Sequence, residues 1–138
     1  MTRLAKSSGG AVTISLPEAA PPGLFSIFRR VVKERAGLDA VLGTPALVDG
    51  RIASGIGVEG YAIEDNPSGG VRVIGNDARG LLYGVGKVLR DARMSEGRFE
   101  TGQWRGVSVP RCPVRGIYFA THFHNYYQEA PIEEIERY

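Results

Sequence analysis

The fold is decided by the stretch Val71-Arg-Val-Ile-Gly-Asn-Asp-Ala-Arg-Gly-Leu-Leu-Tyr-Gly-Val-Gly-Lys-Val-Leu-Arg90, where a strand pattern passes directly into a helix pattern. Asp77 can cap this helix, because its side chain can accept hydrogen bonds from the first free backbone N–H groups. Apolar residues then recur on one helical face, as in a helix packed on a core. They are Leu81, Val85, Val88, Leu89 and Ala92. We predict that the helix ends near Arg93 or Met94.

A β-hairpin precedes this helix. Residues 60–65 and 71–74 flank the connector Asn66-Pro-Ser-Gly-Gly70, which is rich in residues that tolerate turn conformations. This composition predicts two antiparallel strands joined by a five-residue loop.

The other segments complete the expected architecture. Residues 11–16 alternate apolar and polar side chains and predict a strand, and 23–36 predict a helix. Residues 43–57 are rich in Gly and predict mostly loop, with a possible edge strand at 46–48, and 98–109 predict one or two short strands. The order strand, helix, hairpin, helix, strand predicts an α+β fold, with two helices on one face of a mixed, mostly antiparallel sheet.

Composition limits the classes of partner. The 138 residues suit one domain, and the net charge of +2 falls short of the basic surface that nucleic acid requires. The Arg29-Arg30 pair, with Lys33 and Arg35, is interpreted as one solvated helix face rather than an anion site. Neither an apolar run of membrane-spanning length nor a signal sequence is visible, so we expect no membrane partner and a cytoplasmic protein.

Two glycine motifs resemble nucleotide-binding loops but lack their context. Gly55-Ile-Gly57-Val-Glu-Gly60 has the letters of a dinucleotide fingerprint, yet it precedes a strand instead of opening a helix. Gly84-Val-Gly86-Lys87 has neither the spacing nor the hydroxyl residue of a phosphate loop. We interpret the first as a flexible connector, and Gly84 and Gly86 as sites of close packing.

The sequence offers no convincing catalytic or metal set. His122 and His124 have a spacing compatible with metal ligation, but a third ligand is missing. Glu133, Glu134 and Glu136 begin a predicted helix, where negative charge suits the helix dipole. Cys112 is the only cysteine, so no internal disulfide can form. We therefore expect no metal and no cofactor.

Three blocks resemble the non-catalytic domain of family-20 β-N-acetylhexosaminidases and its equivalent in family-67 α-glucuronidases. They are Glu59-Gly-Tyr-Ala-Ile-Glu64, the stretch 71–90, and Pro113-Val-Arg-Gly-Ile-Tyr-Phe119. The resemblance implies a flexible N-terminus at 1–10, an accessory α+β domain at 11–110 and the start of a truncated (β/α)8 catalytic barrel at 111–138. It also implies a carbohydrate substrate, a barrel partner within the same protein, and no catalysis by this chain alone.

The same resemblance implies substrate-binding residues. Arg115 matches an arginine that contacts sugar hydroxyls, although pairing with a barrel carboxylate is an equal alternative. His122, His124 and Asn125 fall at the mouth of the implied barrel strand, where active sites are built. The stretch His-Phe-His-Asn departs from the family-20 pattern, so both hexosaminides and glucuronides remain open as substrates.

Two rival functions remain. An autonomous carbohydrate-binding module would use exposed aromatic rings such as Trp104, Tyr118, Tyr126 and Tyr127, although Trp104 and Tyr118 fit core positions better. A small nucleotide-binding domain would depend on the two incomplete glycine motifs.

Overall fold

The computed structural model describes residues 6–8, 10–116 and 130–137. In those ranges nine strands and three helices follow one another along the chain. The elements are β1 (Lys6–Ser8), β2 (Val12–Ser15), α1 (Leu24–Ala36), β3 (Ala40–Leu42), β4 (Val48–Ile52), β5 (Tyr61–Asp65), β6 (Val71–Gly75), α2 (Ala78–Asp91), β7 (Arg93–Ser95), β8 (Arg98–Glu100), β9 (Gly106–Ser108) and α3 (Ile132–Glu136).

The described strands form a six-stranded sheet, ordered β3-β2-β4-β6-β5-β9, and a three-stranded sheet, ordered β1-β8-β7. The predicted α+β class with a mixed sheet is confirmed. Parallel pairing is more extensive than predicted in the larger sheet, since β2 pairs in parallel with β3 and β4, and β4 with β6. The antiparallel part consists of the hairpin β5–β6 and the edge strand β9.

Alternation of side chains along the strands builds one core. Val12 and Ile14 of β2 and Val71 and Val73 of β6 are buried, while the residues between them face the opposite side of the sheet. Both helices contribute to the same core. The buried helical residues are Leu24, Phe28, Val32 and Ala36 of α1 and Leu81, Val85, Val88 and Leu89 of α2.

Most of the predicted elements are confirmed, including the first strand, the hairpin and both helices. Gly37 ends α1 in the left-handed conformation, and its N–H donates to the carbonyl of Lys33 at 3.0 Å. The segment 43–57 was predicted as loop with an edge strand, and this was wrong, because β4 lies at the centre of the sheet between β2 and β6. Strands β3 and β7 were not predicted, and β7 begins two residues after α2 ends at Asp91.

The N-terminal and C-terminal predictions fall partly outside the described residues. Lys6–Ser8, within the predicted flexible N-terminus, pairs with β8 as strand β1. Near the C-terminus, the implied barrel start at 111–138 is described over 111–116 and 130–137, and residues 111–116 have no strand assignment. Helix α3 agrees with the predicted helix start at 131–138.

Candidate site around Glu59 and Arg115

One side chain binds three backbone N–H groups of the loop between β4 and β5. Oδ1 of Asn76 accepts hydrogen bonds from the backbone N–H groups of Gly55, Ile56 and Gly57 at 3.0, 3.0 and 3.1 Å. Gly55 and Gly57 have positive φ, which lets successive N–H groups converge on one oxygen. The glycine motif therefore forms an anion-type cradle, but the protein fills it with its own amide. This supports its interpretation as a connector.

Asp77 connects this loop to α2. Its Oδ1 accepts from the N–H of Gly80 at 2.8 Å, which is the predicted N-cap, and its Oδ2 accepts from the N–H of Glu59 at 2.7 Å. The hydrogen bond from Gly80 is the main cause that lowers the pKa of Asp77. Asp77 therefore remains ionised and fixes the backbone of Glu59, which has a left-handed φ of 57°.

Glu59 is clamped between two arginines. Its Oε1 accepts from Nη1 of Arg79 in α2 at 2.8 Å, and its Oε2 accepts from Nη2 of Arg115. The Glu59 side chain is only 15% exposed. The hydrogen bonds from Arg79 and then Arg115 lower the pKa of the Glu59 carboxyl. A carboxylate compensated in this way stays ionised near neutral pH, so it is unsuited to act as a general acid.

Arg115 is held on three sides. Besides Glu59, its Nη1 donates to the carbonyl oxygen of Cys112 at 2.6 Å, and its guanidinium carbon lies 5.7 Å from the centre of the Tyr83 ring. The hydrogen bond to Glu59 is the main cause that raises the pKa of Arg115. The side chain is still 37% exposed, so it retains a solvent-facing surface. The carboxylate that pairs with Arg115 is therefore Glu59, in the loop before β5, whereas the alternative predicted from the sequence was a carboxylate of the barrel.

The other predicted binding residues cannot be placed in the same way. His122, His124 and Asn125 lie outside the described residues, as do Tyr118, Tyr126 and Tyr127. Glu59, Arg79 and Tyr83 form the site with Arg115 but were not predicted as site residues. The sequence did hold one signal for Glu59, because this residue begins one of the blocks that carry the family resemblance.

Trp104 belongs to the core region. Its ring centre lies 6.1 Å from that of Tyr61, and Nζ of Lys87 lies 5.4 Å from the ring. The ring packs against the buried core cluster, as predicted. Trp104 is therefore poorly placed to serve as an exposed platform for a sugar.

The described ranges hold neither a cluster of metal ligands nor a helix of membrane-spanning character. No group of three His, Cys, Asp or Glu residues that could hold a metal ion occurs in the part of the chain that the structure describes. Among those same residues, none of the helices has the length and apolar character needed to cross a membrane.

Comparison with known proteins relates this fold to glycoside hydrolases. No protein-family model matches the chain, and no curated protein matches it either. Among solved structures, a GH20 exo-β-N-acetylglucosaminidase from Vibrio harveyi superposes with a TM-score of 0.71 at 11% identity, over 93% of this chain and 20% of that one. A chitobiase from Flavobacterium johnsoniae gives 0.68 at 18% identity, over 99% of this chain and 22% of that one.

A third structure is a family GH115 4-O-methyl-α-glucuronidase with specificity for decorated arabinogalactans. It superposes with a TM-score of 0.60 at 15% identity, over 75% of this chain and 18% of that one. The chain thus spans about a fifth of the length of these proteins. At such identities the likeness shows a shared domain fold.

Proposed function

We propose that this chain is the accessory N-terminal domain of a glycoside hydrolase, which supports a catalytic barrel and performs no chemistry of its own. The observation that carries the proposal is the ion pair between Glu59 and Arg115. Glu59 belongs to the α+β domain, and Arg115 belongs to the element Pro113–Gly116, which resembles the first barrel strand. The pair therefore attaches the start of that strand to the accessory domain.

The geometry around the pair supports a positioning role. Arg79 and Asp77 hold Glu59 from the α2 side, and Tyr83 packs beneath the guanidinium of Arg115. These contacts use residues of a helix that is itself anchored in the core. A barrel strand beginning at Arg115 would start from a fixed point relative to α2.

Exposed apolar residues neighbour the Glu59–Arg115 pair in the sequence. Val58 is 79% exposed and Val114 is 87% exposed, and each is adjacent in sequence to one partner of the ion pair. Val109 is also exposed, and a Cβ built on Gly57 would lie 3.0 Å from its side chain. Apolar side chains grouped on a surface favour contact with another protein surface. This arrangement supports docking of a following domain beside the Glu59–Arg115 pair.

The shared fold with GH20 and GH115 proteins favours a carbohydrate substrate, either a hexosaminide or a glucuronide. Arg115, with His122, His124 and Asn125, would contribute to substrate binding at the mouth of the barrel. We propose a cytoplasmic protein with no nucleic-acid or membrane partner.

A direct test compares this chain with the polypeptide extended by the following codons of its gene. The 138-residue chain should release no chromophore from aryl N-acetylhexosaminides or aryl glucuronides, while the extended protein should do so. Turnover by the 138-residue chain would overturn the accessory role. A gene that ends at Tyr138 would overturn it as well, because no barrel could then follow.

A further inference from the structure

Helix α1 presents a basic surface directly opposite its core face. Leu24, Phe28, Val32 and Ala36 point into the core, while Arg29, Arg30 and Lys33 are exposed on the other side of the helix. Together with Ser26 and Glu34, which lie on the same helix, these three cations line a shallow, open groove. We call these five residues the α1 groove.

The two arginines of the groove have free donors. Arg29 and Arg30 have no hydrogen-bond or ion-pair partner among the described residues, whereas Arg35 on the same helix donates to the carbonyl of Leu89 at 2.8 Å. Nζ of Lys33 lies 3.1 Å from Oδ1 of Asp39, but both side chains of this pair are exposed to solvent. Glu34 is the single carboxylate of the groove, and it has no ion-pair partner among those same residues.

The charge of the chain is concentrated in the helical layer. α1 holds four basic residues and one acidic residue, and α2 holds three basic residues and one acidic residue. The two helices thus carry a formal charge of +5, although the whole chain carries only +2. The remainder is therefore acidic at −3, and part of it compensates α2, whose Arg79 pairs with Glu59.

We infer that the α1 groove, which was predicted from the sequence to be a solvated helix face, instead binds an acidic polysaccharide through the carboxylates of its uronate units. The guanidinium groups of Arg29 and Arg30 can each donate two parallel hydrogen bonds to a carboxylate, and Lys33 adds a third cation one helical turn further on. The Ser26 hydroxyl can bond a sugar hydroxyl in the same groove. The choice of a sugar polymer rests on the proposed function, while the requirement for an anion rests on the charges alone.

The dimensions of the groove favour this ligand over nucleic acid. From residue 26 to residue 34 the helix rises about 12 Å, and three cations can neutralise only a few anionic groups. Duplex DNA carries a charge about every 1.7 Å, and tight binding uses many phosphate contacts. A uronate polymer, with one charge on each sugar unit, matches a short groove of three cations better.

Affinity electrophoresis of the 138-residue chain tests this inference. The chain should migrate more slowly in a gel containing polygalacturonate than in one containing neutral galactan, and added salt should weaken the effect. The double variant Arg29→Gln/Arg30→Gln should weaken the affinity for polygalacturonate about tenfold, because two charge-assisted contacts are lost. Circular dichroism would verify that the variant is folded.

A matched variant distinguishes binding at the α1 groove from attraction by the overall positive charge of the chain. Arg111→Gln/Arg137→Gln removes the same charge from two exposed arginines outside the helical layer, and it should retain the affinity of the original chain. Equal loss in both variants, or no retardation of the original chain, would overturn the inference. Stronger binding to duplex DNA or to anionic phospholipid vesicles than to polygalacturonate would also overturn it. These failures would leave the accessory role intact, because that role is tested by turnover of the extended protein.

Discussion

Glu59 and Arg115 form an ion pair across 56 positions of sequence, and the same Glu59 carboxylate also accepts a hydrogen bond from Arg79 of α2. One side chain therefore joins two distant parts of the chain, which are the loop before β5 and the segment after β9. The segment 112–116 belongs to no strand or helix, and this contact joins it to the loop before β5.

Replacing Glu59 should release that segment selectively. Glu59→Gln removes the charge that Arg79 and Arg115 share, so amide hydrogens of residues 112–116 should exchange faster while those of β4 and β6 remain protected. Hydrogen exchange followed by mass spectrometry measures both regions. Glu64→Gln is the control, since Glu64 pairs with Arg72 on the sheet surface at 3.3 Å. Unchanged exchange at 112–116 in Glu59→Gln would contradict the positioning role.

The same ion pair predicts a dependence on acid. The pKa of Glu59 is lowered by Arg79 and Arg115, so folding favours the ionised form. Its stabilising effect is therefore present above the unfolded-state pKa and is lost as the pH falls through the lower folded-state pKa. The Nε–Hε resonance of Arg115 in NMR spectra should stay constant from pH 8 to about pH 5 and shift below about pH 4. The Glu59→Gln protein should lack this shift.

Asn76 should contribute measurably to stability through the loop that it holds. Asn76→Ala leaves the N–H groups of Gly55, Ile56 and Gly57 without their common acceptor, and we expect a loss of about 1–3 kcal/mol in the free energy of unfolding. Urea denaturation measures this difference. Gln103→Ala, which truncates an exposed amide, should stay within about 0.5 kcal/mol of the original chain. Equal stability of the two variants would show that water replaces Asn76 without cost.

Two glycines of α2 should respond to alanine in opposite directions. A Cβ on Gly84 would lie 2.4 Å from Cγ1 of Val73, so Gly84→Ala should destabilise the protein by about 1–3 kcal/mol through overpacking. On Gly86 the nearest atom would be Nη1 of the flexible Arg90, at 3.3 Å. Gly86→Ala should therefore gain up to about 1 kcal/mol from better helix propensity. Thermal unfolding of both variants shows whether each substitution raises or lowers the stability. A gain in stability for Gly84→Ala would contradict the close packing of Gly84 against Val73.

Local patterns were sufficient to predict the elements that are held by near neighbours. The hairpin β5–β6 and the Asp77 cap of α2 depend on residues within a few positions, and both were predicted. Gly84 was also correctly interpreted as a site of close packing, because a helical glycine is costly unless something lies against it. Gly86 has the same sequence signal but no backbone or core atom against it, which local sequence cannot reveal.

Features that depend on distant residues were missed. Strand β4 was predicted mainly as loop because it contains Gly50, yet a Cβ there would lie 3.0 Å from both the Ser15 carbonyl oxygen and the Leu16 side chain. That glycine is needed for packing in a central strand. The partner of Arg115 was equally hidden, since no local pattern relates it to Glu59. Only the resemblance to known families drew attention to Arg115.

The central position of β4 has a consequence for the order in which the chain folds. Its partners are Ile14 of β2 and Val71 of β6, which are distant in sequence, whereas β5 and β6 meet across a short loop. Pairing of distant segments carries a larger loop-closure cost and slows folding. We expect the hairpin to form early and β4 to insert last. In stopped-flow refolding, Val48→Ala should then accelerate unfolding more than it slows the recovery of Trp104 fluorescence.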